Sequence, residues 1–214
     1  MKKDLTELVF ILDRSGSMSG LESDTIGGYN SLLEKQRKEV GAAIITTVLF
    51  DDKYELLHDR IDIKGVAPIT NKDYYVRGCT ALLDAVGKTV AKIENAQLHT
   101  MEIERPEKTL VVITTDGMEN SSHEFSKEKV KTLVERMQSE YGWEFIFLGA
   151  NIDSIKTAGG IGIGAHRTAN YHADHAGTAM NFNVAANVIS QLRTKRSVSD
   201  DWKDEIDRDY TERK

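Results

Sequence analysis

The stretch Leu8-Val9-Phe10-Ile11-Leu12-Asp13-Arg14-Ser15-Gly16-Ser17 decides how the rest of the chain is read. Its unbroken apolar start matches a strand buried on both faces, because a strand with one solvated face would alternate apolar and polar residues. The run stops at an acid followed by small hydroxylic residues around a glycine, which is turn chemistry. In an open α/β sheet, functional groups collect just beyond the carboxyl ends of the strands. Asp13, Ser15 and Ser17 stand at such an end, and their alternation lets a turning loop aim three side-chain oxygens to one side.

Outward from this point, strand-like and helix-like stretches alternate. Residues 21–40 read as a helix with Ile26, Tyr29, Leu32 and Leu33 on one face. Ala42–Phe50 reads as a second buried strand. The polar turn Asp51-Asp52-Lys53 then returns the chain as a hairpin into residues 54–63. Glu55, His58, Asp59, Arg60 and Asp62 suit that segment to the edge of a sheet. After a loop containing Pro68, the pattern predicts a helix over 81–96, a strand over 109–114 and a helix over 126–141. A strand over 145–148, a short helix over 153–158, a short strand over 167–171 and a helix over 177–193 complete it. Such alternation means a mostly parallel sheet with helices on both faces. Val9, Ile11, Val48, Val112, Ile113, Ile146 and Leu148 are the expected core of the central strands. The domain is expected to span residues 1–195, and residues 196–214 to form a charged polar helix or a loose tail.

Composition narrows the function classes. The chain has 214 residues, with 28 Lys and Arg against 34 Asp and Glu, for a net charge of −6. That length suffices for one full core, burying about 70% of the unfolded surface. The acidic balance excludes a general nucleic-acid binder. Cys79 is the single cysteine, so an intramolecular disulfide and a cysteine-rich zinc site are both excluded. No apolar run approaches the ~20 residues of a membrane span, and Met1-Lys2-Lys3-Asp4 starts no signal-peptide core. The cytoplasm is the expected compartment, with no membrane or nucleic-acid partner.

Two further strand ends carry oxygen-bearing groups. Thr80 lies in Arg77-Gly78-Cys79-Thr80, which opens the helix over 81–96, and Asp116 lies in Thr114-Thr115-Asp116-Gly117. Each segment alone reads as ordinary capping and turn chemistry. Together, two carboxylates and three hydroxyls form a hard, all-oxygen donor set that suits Mg²⁺ or Mn²⁺ and lacks the nitrogen and sulfur ligands favoured by zinc. Mg²⁺ takes about six ligands and keeps some water, so a set of this size leaves a place for an outside ligand.

The three segments, Val9 to Met18, Arg77 to Ala85 and Val112 to Gly117, resemble in order and content the von Willebrand factor A (vWA) domain with its metal-ion-dependent adhesion site. The resemblance covers about residues 5–194 and is to the bacterial intracellular type. It implies a doubly wound α/β fold: a six-stranded sheet of order 3-2-1-4-5-6 with the hairpin strand antiparallel at one edge. It further implies Asp13, Ser15, Ser17, Thr80 and Asp116 as metal ligands, direct or through water, and a protein partner that completes the metal with an Asp or Glu carboxylate. Arg14 departs from the commoner small or apolar residue before Ser15 and is expected to bear on partner choice rather than on the metal.

The alternative is a Mg²⁺-dependent phosphoryl-transfer or hydrolytic enzyme using the same groups. It lacks a phosphate cradle, and Ser15 stands where aspartate-nucleophile phosphatases carry a second Asp. Binding without catalysis is the favoured reading. Other motifs read as structural. Gly160-Ile161-Gly162-Ile163-Gly164 has no preceding strand and no Gly-Lys-Ser/Thr, so it is a connection rather than a phosphate loop. His172 and His175 lack a third metal ligand, Cys79 lacks a nearby His, and Gly16-Ser17-Met18-Ser19-Gly20 is not a hydrolase elbow.

Overall fold

The structure, a computed structural model, describes residues 1–195 and 197–213. The strands are β1 (Lys2–Asp13), β2 (Ala42–Phe50), β3 (Tyr54–Asp62), β4 (Pro106–Thr115), β5 (Glu144–Ala150) and β6 (Thr168–Tyr171). They form one sheet of order β3-β2-β1-β4-β5-β6. β3 pairs antiparallel with β2, and every other pairing is parallel. The expected topology, edge strand included, is the observed one.

Alternation along the strands divides the core in two. Leu8, Phe10, Leu12, Leu110, Val112, Ile146 and Leu148 face α1 (Glu22–Arg37) and α5 (His175–Lys195). Val9, Ile11, Val111, Ile113, Phe145 and Phe147 face α2 (Leu82–Leu98), α3 (Lys127–Tyr141) and α4 (Ser154–Gly160). A continuous apolar run is what a sheet covered on both faces requires. All seven expected core residues are buried strand residues. α3 starts with the Ser126 hydroxyl accepting from Lys129 N–H and ends at Gly142, whose φ of 64° supplies the left-handed turn that stops the helix.

Two local features are not evident from the sequence alone. The polar residues of β3 do not all face water: the Arg60 guanidinium turns inward to pair with buried Glu7 at 2.8 Å, and His58 Nδ1 lies 2.9 Å from Thr47 Oγ1. Burial raises the Glu7 carboxyl, and Arg60 and Gln97 oppose that rise. An ion in mid-sheet needs such partners. The final segment is also more than a solvated helix. α6 (Asp204–Glu212) follows Trp202, and Val198, Trp202 and Ile206 are buried in the core beside α5. Trp202 Nε1 donates to the His166 carbonyl at 2.8 Å, close to the β6 edge. Arg196, at the expected boundary, and Lys214, at the end of the expected tail, lie outside the described residues.

Truncating Ile113 to Ala, at a fully buried site on the central β4 strand, is expected to cost about 2–4 kcal/mol in denaturant unfolding. A loss within about 0.5 kcal/mol, the range of an exposed position, would contradict burial on both faces.

Candidate metal centre

Strand pairing assembles the site. β1 and β4 run parallel with Leu12 opposite Thr114, so Asp13 and the Thr115-Asp116 pair emerge level and adjacent. Asp13 Oδ1 accepts from the Ser15 N–H at 2.7 Å, which turns the chain back over the strand end. Its Oδ2 accepts from Thr115 Oγ1 at 2.5 Å, and its carbonyl accepts from the Tyr74 hydroxyl. Ser15 Oγ and Ser17 Oγ lie 3.1 Å apart, and Ser17 Oγ donates to Asp116 Oδ1 at 2.6 Å. Since a hydroxyl has one hydrogen, Ser15 is the donor to Ser17. The other carboxylate oxygen, Asp116 Oδ2, is buried and has no hydrogen-bond partner among the described residues.

Thr80 arrives from the loop before α2. Gly117 allows its approach: a Cβ there would stand 2.5 Å from Thr80 Oγ1 and 3.2 Å from Ser17 Oγ, so the two hydroxyls converge above a residue that has no side chain. Ser15, Ser17, Thr80 and Asp116 thus line one open cleft of ≈ 370 Å³ with Asn120 and Cys79. Asp13 lies beneath it, 1% exposed, behind Ser15 and Thr115. Five expected residues are therefore brought together, four lining the cleft and one below it.

Residues outside the expected ligand set hold this arrangement. Asp51, at the end of β2, accepts from Arg14 Nε at 3.0 Å and Arg77 Nε at 2.6 Å, joining the first two loops. Arg14 is fully buried and also pairs with Glu55, so its expected role in partner choice is overturned: its guanidinium is a strut. Gly78 adopts φ +65°, and a Cβ there would stand 2.1 Å from Asp52 Oδ1. The loop after β4 is sewn to the start of α2. Asn120 Oδ1 accepts from Thr80 N–H at 2.9 Å, and Glu119 Oε2 accepts from Leu83 N–H at 2.8 Å. Asp84 accepts from the N–H groups of His123, Glu124 and Phe125. Burial alone would raise Asp84, but those three donors hold its carboxyl below the ordinary value.

The site carboxylates are shifted the other way. Burial pushes Asp13 up to about 6; the hydrogen bonds from Thr115 and Ser15 oppose this, and the neighbouring Asp116 charge adds to it. Burial likewise raises Asp116 against the Ser17 hydrogen bond. Two desolvated acids, one with an orphaned oxygen, beside three hydroxyls form a donor set whose chemistry fits a hard divalent cation. Among the described residues no group of three or more His, Cys, Asp or Glu is placed to hold a metal, so any fit depends on the hydroxyls. The remaining motifs stay apart from the cleft. His175 Nδ1 lies 2.5 Å from Asp24, His172 stacks on Tyr210, and Gly160 to Gly164 form the turn after α4.

In chelator, Asp13 is expected to titrate near pH 6 against an ordinary value of 3.8. A carboxyl raised by folding stabilises the protein at low pH, and that contribution is lost as pH rises toward the folded value. The stability difference between wild type and Asp13→Asn should therefore fall by roughly 2–3 kcal/mol between about pH 4 and 6. A flat or rising difference in thermal unfolding would contradict the buried, partly repelled carboxylate.

The sequence matches no family model, and no curated protein matches it. Solved structures do match. Proximal thread matrix protein 1 from the mussel byssus, with a zinc-occupied metal-ion-dependent adhesion motif, aligns at a TM-score of 0.59 and 17% identity over 86% of this chain and 46% of that one. Manganese-loaded TRAP protein from Plasmodium vivax aligns at 0.60 and 18% identity over 84% of this chain and 73% of that one. The vWF domain of a type V pili tip protein from Porphyromonas gingivalis aligns at 0.60 and 10% identity, covering 91% and 98%. The chain spans about half the length of the mussel protein. Identities this low speak to architecture alone, and the architecture of this chain is that of the vWA domain.

Proposed function

We propose that the chain is a divalent-cation-dependent protein-binding module. Mg²⁺ or Mn²⁺ is held by Asp13, Ser15, Ser17, Thr80 and Asp116, and an Asp or Glu side chain of a partner protein completes the site. The observation that carries this reading is Asp116 Oδ2: a buried carboxylate oxygen, in a residue lining an open cleft, that accepts no hydrogen bond among the described residues. Leaving such an acceptor unpaired is costly unless a cation or another donor meets it. The zinc- and manganese-bearing neighbours of the same fold add support for a divalent cation.

The chain's own residues divide the work. Ser15, Ser17 and Thr80 offer neutral hydroxyl oxygens, Asp116 offers the free carboxylate oxygen, and Asp13 adds negative charge from beneath. When bound, the cation supplies positive charge and an exchangeable coordination place. With at most two carboxylates against a divalent charge, and one of them, Asp13, beneath the cleft, the loaded site would keep a field that favours an incoming anion. Without the cation, Asp13 and Asp116 repel that anion. Among the described residues neither histidine nor lysine lines the cleft, and no cradle for a phosphate stands beside the carboxylates, which favours binding over phosphoryl transfer.

Calorimetric titration with Mn²⁺ should give a single binding event that is abolished in Asp13→Ala and Asp116→Ala. Unchanged affinity in either variant sinks the ligand assignment. Pulldown from native lysate should recover a partner in Mg²⁺ but lose it in EDTA and with Thr80→Ala. A partner retained equally in all three conditions would place the binding surface elsewhere, and turnover of phosphorylated substrates by pure protein would favour the enzyme.

A further inference from the structure

The end of the sheet opposite the cleft, where β1 and β4 begin and α2 and α3 finish, carries an apolar face. Half of the large apolar side chains exposed among the described residues lie here: Met1, Leu98, Met101, Ile103 and Tyr141 are 45–70% exposed. Single exposed apolar residues are ordinary, but monomeric proteins rarely gather them into one patch of more than a few hundred Å².

This face has relief. Met1, Leu98 and Tyr141 line a hollow of ≈ 140 Å³ with buried Met137 and Trp143 among its walls. A cavity of about 150 Å³ with apolar walls holds a benzene-sized group, so the hollow suits one large side chain. Glu102, in the short turn Glu102–Glu104, edges it. Ile103 in that turn and Met101 just before it stand out into solvent. Projecting side chains and a hollow that suits one of them thus share one surface.

Four charged side chains line the hollow. Glu94 pairs with Arg136 at 2.6 Å, and Glu107 accepts from the Asp4 N–H at 2.9 Å. Arg105 donates to the Thr100 and Leu98 carbonyls. Neither Arg105 nor Glu102 forms an ion pair among the described residues. One uncommitted anion and one uncommitted cation on a common rim suit a surface that meets itself, because a two-fold contact makes every pair twice.

We propose that this face is the interface of a homodimer. Met101 and Ile103 of each copy pack on the hollow of the other, and Glu102 of each copy meets Arg105 of the other. A strongly acidic or strongly basic partner would leave one of those two charges opposed. A second copy matches the projections, the hollow and both charges. Standard interfaces take about 800 Å² from each partner as an apolar centre with a polar rim, and this face has that plan. The contact needs no cation and is independent of the reading of the cleft. It leaves the two clefts at the far ends of the pair, which makes the dimer bivalent.

Sedimentation velocity on the whole chain, in Mn²⁺ and in EDTA, tests the interface. Wild type should dimerise equally in both, with a Kd of about 1 µM or tighter. Met101→Asp and Ile103→Asp should each weaken the dimer about thirtyfold or more, as loss of a central apolar anchor does. Both side chains are exposed in the single chain, so circular dichroism should be unchanged. Glu102→Arg places cations face to face and should weaken the dimer about tenfold. Mixing it with Arg105→Glu should restore pairing between the unlike copies, and absence of that mixed dimer would overturn the two-fold arrangement. A wild type that stays monomeric at about 100 µM, or a dimer that survives both Met101→Asp and Ile103→Asp, overturns the proposal. So does a dimer lost in EDTA, which would place the contact at the cleft.

Discussion

The parallel pairing of β1 with β4 is the constraint on which the site depends. Leu12 stands opposite Thr114, so both strands end at the same level and their loops leave the sheet side by side. Thr115 Oγ1 then reaches Asp13 across the strand boundary, and Ser17 reaches Asp116. A register shift of one residue would turn each side chain to the opposite face and separate these groups. The apolar layers on the two faces make such a slip expensive, because every core residue of the slipped strand would change layers with it.

The same packing puts charge where water is scarce. Burial raises both Asp13 and Asp116, whereas Asp84, more fully served by backbone donors, is lowered. The difference lies in hydrogen-bond supply. Three N–H groups satisfy Asp84, while Asp116 keeps an unpartnered oxygen. One acid is used to hold a loop, and the other is left with bonding capacity at a cleft.

Structural acids also prepare the loops. Asp51 gathers Arg14 and Arg77, and Glu119 and Asn120 fasten the segment after β4 to the start of α2. Loops held this way lose little further freedom when a ligand binds, which is the thermodynamic value of preorganisation. The tied segment also leaves Met118 exposed along the cleft.

The sequence by itself determined the alternation of strands and helices, the buried character of Leu8 to Leu12 and Val111 to Ile113, and the three loops in which oxygen donors stand. These are local properties: apolar runs report burial, and small hydroxylic residues after a strand report a turn. Only the tertiary structure decided that Arg14 is a buried strut, that Arg60 turns inward to Glu7, and that Trp202 and Ile206 belong to the core. It also decided that Asp13 sits beneath the other four candidates, tied to Thr115. Each of these depends on a partner distant in sequence, such as Asp51 for Arg14 or Asn120 for Thr80. No periodicity or motif spacing encodes a contact between residues so far apart, because it exists only once the sheet has set their distance.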